Sequence, residues 1–475
     1  MRTLVWFRGK DLRIADHAPL QAALQTVRDG GEVIPLFVLD EHFFRPEAAR
    51  RIPFRIQFLR ESIESLAANL EHLGSKLLLV PGRSVEQIPR LAKLWQVDRV
   101  VAQSWVAPIG RERDRKVANA LPVPLELFDT ETLCKPGSLR TGAGDPYSVF
   151  TAFARAFARV TVQPALAAPR TLPPVPADVK TRSVALPTLE SLGLAHNPRV
   201  QRGGERDARA RLRRWLAGDA KDYDELRNLM GRPGTSRLSA DLKFGTLSVR
   251  TVWHAVDRAL RELSPDALRV YQNELLWREF AHSTLFDRPK LLEETFQPKW
   301  RGFPWRDDAE GWSAWACGHT GYPVVDAAAR ELLATGFVHN RARMIAASFL
   351  AKHLLIDFRR GERHYFDLLT DGDWANNDAG WQWSAGCGCD AQPWFRIFNP
   401  VTQGQRFDAD GDYVRAWVPE LALLPAKHIH APWLAPREIL AAAGVRLGKN
   451  YPEPIVAHDA ARRRFLDIAK QHFDS

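Results

Sequence analysis

The chain has 475 residues, 45% of them hydrophobic and 26% charged, which excludes a disordered chain and leaves room for roughly two to four domains of ~100–200 residues. Lysine and arginine outnumber aspartate and glutamate by 66 to 56, and this +10 surplus favours a polyanionic partner. No run approaches the ~18 apolar residues of a membrane-spanning helix, Met1–Arg8 does not read as a secretory signal, and Cys134, Cys317, Cys387 and Cys389 make no disulfide framework, so a reducing, cytoplasmic setting is expected.

In chain order, apolar or β-branched runs fall at Thr3–Phe7, Val33–Leu39, Lys76–Val80, Arg99–Ala102 and Leu125–Phe128. They alternate with amphipathic stretches such as Phe54–His72, where Ile56, Leu59, Ile63, Leu66 and Leu70 recur at helical spacing. The alternation predicts an α/β N-terminal domain built on a doubly wound parallel sheet. No glycine fingerprint for a dinucleotide or a nucleoside triphosphate follows any of these runs, so a redox cofactor is not required there. Pro164, Pro169, Pro173, Pro174, Pro176 and Pro187 mark a connector. Helical periodicity with short Gly/Pro breaks fills the remainder. The expected division is 1–130, a linker 131–200, and an all-α domain 201–475. Of the 16 tryptophans, three precede residue 200 and thirteen follow it. A flat ligand is therefore sought in the helical part.

Four stretches there carry chemistry. Gly234-Thr-Ser-Arg-Leu-Ser239 offers hydroxyls, backbone N–H groups and a guanidinium at a helix start, which suits an anion or an ordinary helix cap. In Asn273–Phe280 the spacing of Glu274, Trp277 and Arg278 puts carboxylate, indole and guanidinium on one helix face. That face suits base recognition, or an intrahelical ion pair beside a core tryptophan. In His339–Met344, Asn340 and Met344 are one turn apart with Arg343 adjacent, which suits either a mixed polar and aromatic ligand or a helix end. Asp371–Trp383 packs three acids, three amides and three tryptophans into thirteen residues. Trp381 and Trp383 point to different sides of a helix, which suits one facing an internal cofactor and the other an outer ligand, or a helix turn packed on two neighbours. Cys387-Gly-Cys389 lacks a second pair and reads as structural or incidental rather than metal-binding.

These residues resemble the photolyase/cryptochrome family over nearly the whole chain, most closely the class I cyclobutane pyrimidine dimer photolyases. The resemblance runs through Trp6-Phe7-Arg8 with Asp11-Leu12-Arg13, Gly234–Ser239, Asn273–Phe280, Thr320-Gly-Tyr-Pro with Val325-Asp326-Ala327, His339–Met344, Asp371–Trp383 and Phe395–Pro400. It implies a non-covalent, folded FAD in the helical domain, active as FADH⁻. The matching positions are Tyr223, Thr235, Ser236, Arg237, Leu238, Ser239, Asn340, Arg343, Asp371, Gly372, Asp373 and Asn377. Arg343 and Asp371 would flank the flavin ring, and Asn377 would sit beside its reactive nitrogen. A neutral amide there fits photolyases; plant cryptochromes carry Asp.

The resemblance also implies a damaged-DNA substrate whose dimer is flipped out. Glu274, Trp277, Asn340, Met344 and Trp383 would contact the dimer, and Arg227, Arg278, Arg341 and Gln403 would lie near DNA. Glu274 would hydrogen-bond a pyrimidine carbonyl. Neither nucleophile nor metal is needed, no membrane is involved, and a monomer is expected. Of three tryptophans that relay electrons in the family, Trp381 and Trp305 match the inner and outer members, but the middle position is Phe358. Trp374 and Tyr365 are the substitutes considered. Ala107 stands where folate-binding relatives carry Glu, which leaves a deazaflavin, a second flavin or no antenna, with folate disfavoured. A signalling cryptochrome is the second reading, opposed by Asn377 and by the chain ending at Ser475 soon after Ala457–Phe473. A (6–4) photolyase is the third, opposed by Asn340 and Met344 where two histidines would be needed.

Overall fold

In the computed structural model, which describes residues 1–179, 183–262 and 265–474, the chain forms two compact units. The first is Met1–Gly218 with Ser236–Pro289, and the second is Asp219–Thr235 with Lys290–Ser475.

The first unit is built on a parallel five-stranded sheet of β1 (Arg2–Phe7), β2 (Glu32–Leu39), β3 (Leu78–Pro81), β4 (Arg99–Gln103) and β5 (Leu125–Phe128), in the order β3-β2-β1-β4-β5. The order reverses at β1, which defines a doubly wound sheet. Val5 lies opposite Leu36's neighbour Pro35 on one side and opposite Val101 on the other. Both faces are covered, and this is why the strands read as unbroken apolar runs. Side chains alternate between the faces. Val5, Phe7, Val33 and Phe37 pack with Ile56, Ile63, Leu66 and Leu70 of helix α1 (Pro53–His72). Leu4, Trp6, Ile34 and Leu36 pack with Ile88 and Leu91 of the helix Ser84–Leu94.

One strand starts later than its composition suggests. The run from Lys76 pairs only from Leu78, opposite Leu36, and Lys76 itself is exposed. The outer edge of β3 is covered by the connector: Val184 N donates to Leu79 O (3.0 Å) and Leu79 N to Ser183 Oγ (3.1 Å). Covering an edge strand removes a template for unwanted pairing. The unit also holds helices α2 (Phe150–Phe157) and α3 (Pro265–Asp287).

Among the described residues, all five strands lie before residue 130, and the second unit is helical. Its helices include α4 (Ala309–Cys317), α5 (Asn340–Ser348), α6 (Phe358–Leu368), α7 (Trp374–Ala385), α8 (Pro400–Phe407) and α9 (His458–Asp474). Their core contains Trp315, Tyr322, Leu332, Ile345, Phe349, Phe358, Tyr365, Trp381 and Phe465. The Thr320–Ala327 motif is structural. Buried Asp326 accepts from Thr320 N (2.6 Å), Thr320 Oγ1 (2.7 Å), Gly321 N (3.1 Å) and Tyr451 Oη (2.7 Å), tying the start of one helix to a distant chain segment. Among the described residues no helix is long and apolar enough to cross a membrane.

Candidate functional site

In the second unit, α5 and the loop before α7 bring the first cluster together. His339 caps α5 by accepting from Arg341 N (3.2 Å). This sets Asn340 at the first turn, where its amide reaches Met344 Sδ at 3.9 Å, as the one-turn spacing requires. Arg343 donates through Nε to Val338 O (2.7 Å) and through Nη2 to Asp371 Oδ2 (2.9 Å). Asp371 Oδ1 is buried without a partner, and such an orphaned acceptor is costly unless something satisfies it. Asp373 caps α7, accepting from Ala375 N and Asn376 N at 3.1 Å each. Its carboxylate thus has a structural task alongside the expected one. Gly372 is buried next to it.

Asn377 lies on the first turn of α7 and donates through Nδ2 to Glu362 O at 3.0 Å. That bond leaves the side-chain oxygen as an acceptor. Beneath it two carboxyls are buried together. Desolvation and the nearby Asp378 push Glu362 up to about 8. Desolvation lifts Asp378 to about 7, although Gln382 Nε2 donates to it at 2.9 Å.

Trp381 and Trp383 do part company on α7. Trp381 is 3% exposed and belongs to the core, while Trp383 is half-buried. Trp381 packs edge-on against α6 at Gly361, where a Cβ would fall 2.2 Å from the indole. Only glycine permits that approach. Phe358 opens α6, is 1% exposed, and has its ring 6.2 Å from that of half-buried Trp305 at 72°. Of the two substitutes considered, Tyr365 meets Trp381 edge-to-face at 5.1 Å. Trp374 is stacked on Phe366 at 3.8 Å. Sequence reasoning passed over a further pair on α4. Trp315 lies 6.0 Å from Trp381, and Trp312 lies 5.4 Å from Trp315. Their three-residue spacing, which puts both indoles on one helix face, was the available signal.

Basic residues gather on the same unit. Arg341 donates to Asn228 Oδ1 (2.6 Å) and lies over Phe407 at 4.2 Å. Burial, then repulsion from Arg227 and Arg406, lowers its pKa. Arg406, exposed on α8 with half-buried Gln403, was not singled out from the sequence. Arg227 packs against the ring of buried Tyr223 (5.8 Å). Gly234 approaches Leu226 so closely that a Cβ would lie 2.3 Å from the leucine's, which fixes the turn leading to half-buried Thr235.

In the first unit, Ser236 Oγ hydrogen-bonds Tyr271 Oη at 2.9 Å. Arg237 is exposed and left-handed at φ 56°, and buried Leu238 stands at the cap of the helix Ser239–Phe244, which no side chain caps. The ordinary-cap reading of Thr235, Ser236 and Ser239 is therefore not what these hydroxyls do. On α3, Glu274, Trp277 and Arg278 are all half-buried. Trp277 stacks on Phe150 at 3.8 Å and 6°. Arg278 pairs with buried Glu279 at 3.1 Å, and its side chain is 11% exposed. Its charge is thus balanced inside the protein rather than held open.

The buried Cys387 sits in the core of the second unit, its thiol pushed up by desolvation, and Cys389 is half-buried.

Residues 3–175 match DNA photolyase, and residues 271–471 match the FAD binding domain of DNA photolyase. A deoxyribodipyrimidine photo-lyase from Agrobacterium fabrum is 39% identical over 473 residues, 98% of this chain and 96% of the relative. The solved structure of a class III photolyase from Agrobacterium tumefaciens is similar with a TM-score of 0.93 at 38% identity, covering 100% of this chain and 98% of that one. A Synechocystis cryptochrome gives 0.89 at 34%, covering 98% and 99%. The chain belongs to the DNA photolyase family. Its helical domain is of the kind that binds FAD.

The residues present fit that cofactor. The orphaned Asp371 Oδ1 is an acceptor for a ring N–H. Arg343 balances the same carboxylate, and its charge suits an electron-rich ring.

Proposed function

We propose that this chain repairs cyclobutane pyrimidine dimers in DNA with light, as a cytoplasmic monomer. The three-part division at about residues 130 and 200 belongs to the same reading. The observation that carries it is Asn377, a neutral amide anchored to Glu362 O with its oxygen left as an acceptor. A carboxylate at that position would interact differently with a protonated ring nitrogen and shift its redox poise.

When bound in its reduced state, FAD would supply the light-driven, reversible one-electron donation that opening of the cyclobutane ring needs. Everything else is the work of side chains. In the second unit Tyr223, Thr235, Asn340, Arg343, Asp371, Gly372, Asp373 and Asn377 are the proposed cofactor contacts; in the first they are Ser236 to Ser239. The proposed contacts to the flipped-out dimer are the aromatic face of Trp277 in the first unit and Trp383, Asn340 and Met344 in the second. Glu274, when protonated, donates to a pyrimidine carbonyl and stabilises negative charge as it develops there. Arg227, Arg341 and Gln403 meet phosphates. Arg278 joins them only in part, because Glu279 already balances it.

Trp381 supplies electrons when the bound flavin is oxidised. Phe is much harder to oxidise than Trp, so Phe358 is a poor second step. The outward route we favour runs from Trp381 through Trp315 to Trp312. Tyr365, which touches both Trp381 and Trp315, flanks it. For the antenna chromophore a deazaflavin, a second flavin or none is favoured, and folate is disfavoured. Ala107 begins no acidic contact for folate.

A signalling role is the second reading, favoured by the likeness to the Synechocystis cryptochrome. An Asn377→Asp variant separates the two. It should accumulate a different flavin redox state under blue light and lose dimer repair. An unchanged spectrum with unchanged repair counts against the role given to Asn377.

A further inference from the structure

The flat face that Trp277 offers is backed by another ring. Phe150 lies parallel to the Trp277 indole, centroids 3.8 Å apart at 6°. Phe150 is the first residue of α2, in the connector, 127 positions from Trp277 in sequence. Its own position is set by the same helix. Phe153 and Phe157 recur at helical spacing on the face of α2 that carries Phe150, and both are buried. Phe153 packs on Phe280 of α3 (5.3 Å), Phe150 on Phe280 (6.1 Å), and Phe157 on Trp253 (5.5 Å). The neighbouring chain is pinned as well, because Leu133 N donates to the buried Glu279 carboxylate at 2.7 Å. The back of Trp277 is therefore a wall with a fixed orientation, and a second flat group has only the opposite indole face on which to stack.

We infer that Phe150 is a positioning residue for lesion recognition: it holds the Trp277 indole in the plane in which its other face stacks on the flipped-out dimer. This rests on the reading that Trp277 contacts the lesion. An indole turns about two side-chain torsions, and each orientation away from the stacking plane wastes part of the binding free energy. A parallel ring behind it removes that freedom before DNA arrives. Undamaged DNA, which presents no flipped-out dimer, gains nothing from the same arrangement.

The test is dark binding of the FAD-loaded protein to two oligonucleotides of one sequence, with and without a single cyclobutane dimer. Phe150→Leu keeps an apolar side chain but removes the flat ring. It should weaken binding to the dimer about threefold to tenfold, the range that an aromatic pair contributes, and leave affinity for the undamaged oligonucleotide unchanged. Phe150→Tyr, which keeps the ring, should restore dimer affinity. In a Trp277→Ala background Phe150→Leu should add no further loss. Equal weakening on both oligonucleotides, or a full additional loss in the Trp277→Ala background, would mean that Phe150 merely supports the fold, and overturns the inference. Trp277→Ala with undiminished dimer affinity overturns the lesion-stacking reading itself, and the inference with it. A Phe150→Leu protein that binds the dimer as the parent does, while Trp277→Ala does not, overturns the inference alone.

Discussion

Arg343 gives one hydrogen bond to Asp371, 2.9 Å from Nη2 to Oδ2, and the second oxygen of that carboxylate is buried with nothing to accept. A half-satisfied carboxylate beside a bound guanidinium is what a ligand N–H would complete. Replacing Asp371 with Ala removes that acceptor. A hydrogen bond to a charged group contributes about 1.5–3 kcal/mol. The Asp371→Ala protein should therefore retain FAD at least ~10-fold more weakly. The flavin-to-protein absorbance ratio after gel filtration reads this directly. Full flavin occupancy in the variant would contradict the assignment.

Phe358 and Trp315 make opposite predictions for photoreduction. Phe358→Trp puts an oxidisable ring at a position whose phenylalanine lies 6.2 Å from Trp305 and should raise the rate at which light reduces oxidised flavin. Trp315→Phe removes the step next to Trp381 and should lower it, on the order of tenfold for every ~1.4 kcal/mol added to the hop. Transient absorption with an external electron donor measures both. Dimer repair by pre-reduced protein should change in neither variant. Equal photoreduction rates in parent and Phe358→Trp would mean that the phenylalanine is no bottleneck.

The carboxyl pair under Asn377 makes stability fall with rising pH. Glu362 and Asp378 titrate near 8 and 7 in the folded protein, against about 4 when exposed. The folded state thus holds more protons than the unfolded one between those limits. Their contribution is complete below about pH 4 and is lost as pH rises through 7 to 8. Lys352, buried and lowered to about 7, acts oppositely: its contribution is lost as pH falls through 7. Comparison with Asp378→Asn isolates the pair. Thermal melts of the variant should fall less steeply between about pH 5 and pH 8.5 than those of the parent. Parallel curves would show that the two carboxyls do not share a buried site.

Burial lowers the pKa of Arg341 most, and the neighbouring charges of Arg227 and Arg406 add to it. Such crowding of charge is relieved by a polyanion. Arg341→Ala and Arg406→Ala should each weaken binding to damaged and undamaged DNA alike. Each should also reduce the slope of log affinity against log salt by about 0.9. Arg278→Ala should act less through salt than through stability, since it strips a partner from buried Glu279.

The sheet was legible because strands covered on both faces must be continuously apolar. Lys76 was misread because a lysine can precede a strand without joining it, and only pairing with Leu36 decides where β3 begins. Asn340 with Met344, and Trp381 with Trp383, were legible because helical spacing alone fixes who faces whom. Arg278 was only half legible. Its position on α3 follows from spacing, but its pairing with adjacent Glu279 depends on what buries that acid, and Leu133 supplies part of the answer from 146 residues away. Phe150 was invisible for the same reason. Nothing in the connector's sequence announces that its ring will lie against Trp277. Trp312 and Trp315 could have been noticed by their spacing, but only packing on Trp381 makes them a route.

The most direct test of the account is repair of two defined oligonucleotides, one carrying a cyclobutane pyrimidine dimer and the other a (6–4) photoproduct, incubated with the reduced, FAD-loaded protein under blue light and in darkness. The account predicts loss of the cyclobutane dimer in the light alone and persistence of the (6–4) product in both conditions. A flavin-loaded protein that repairs neither lesion, or that repairs the (6–4) product, contradicts it.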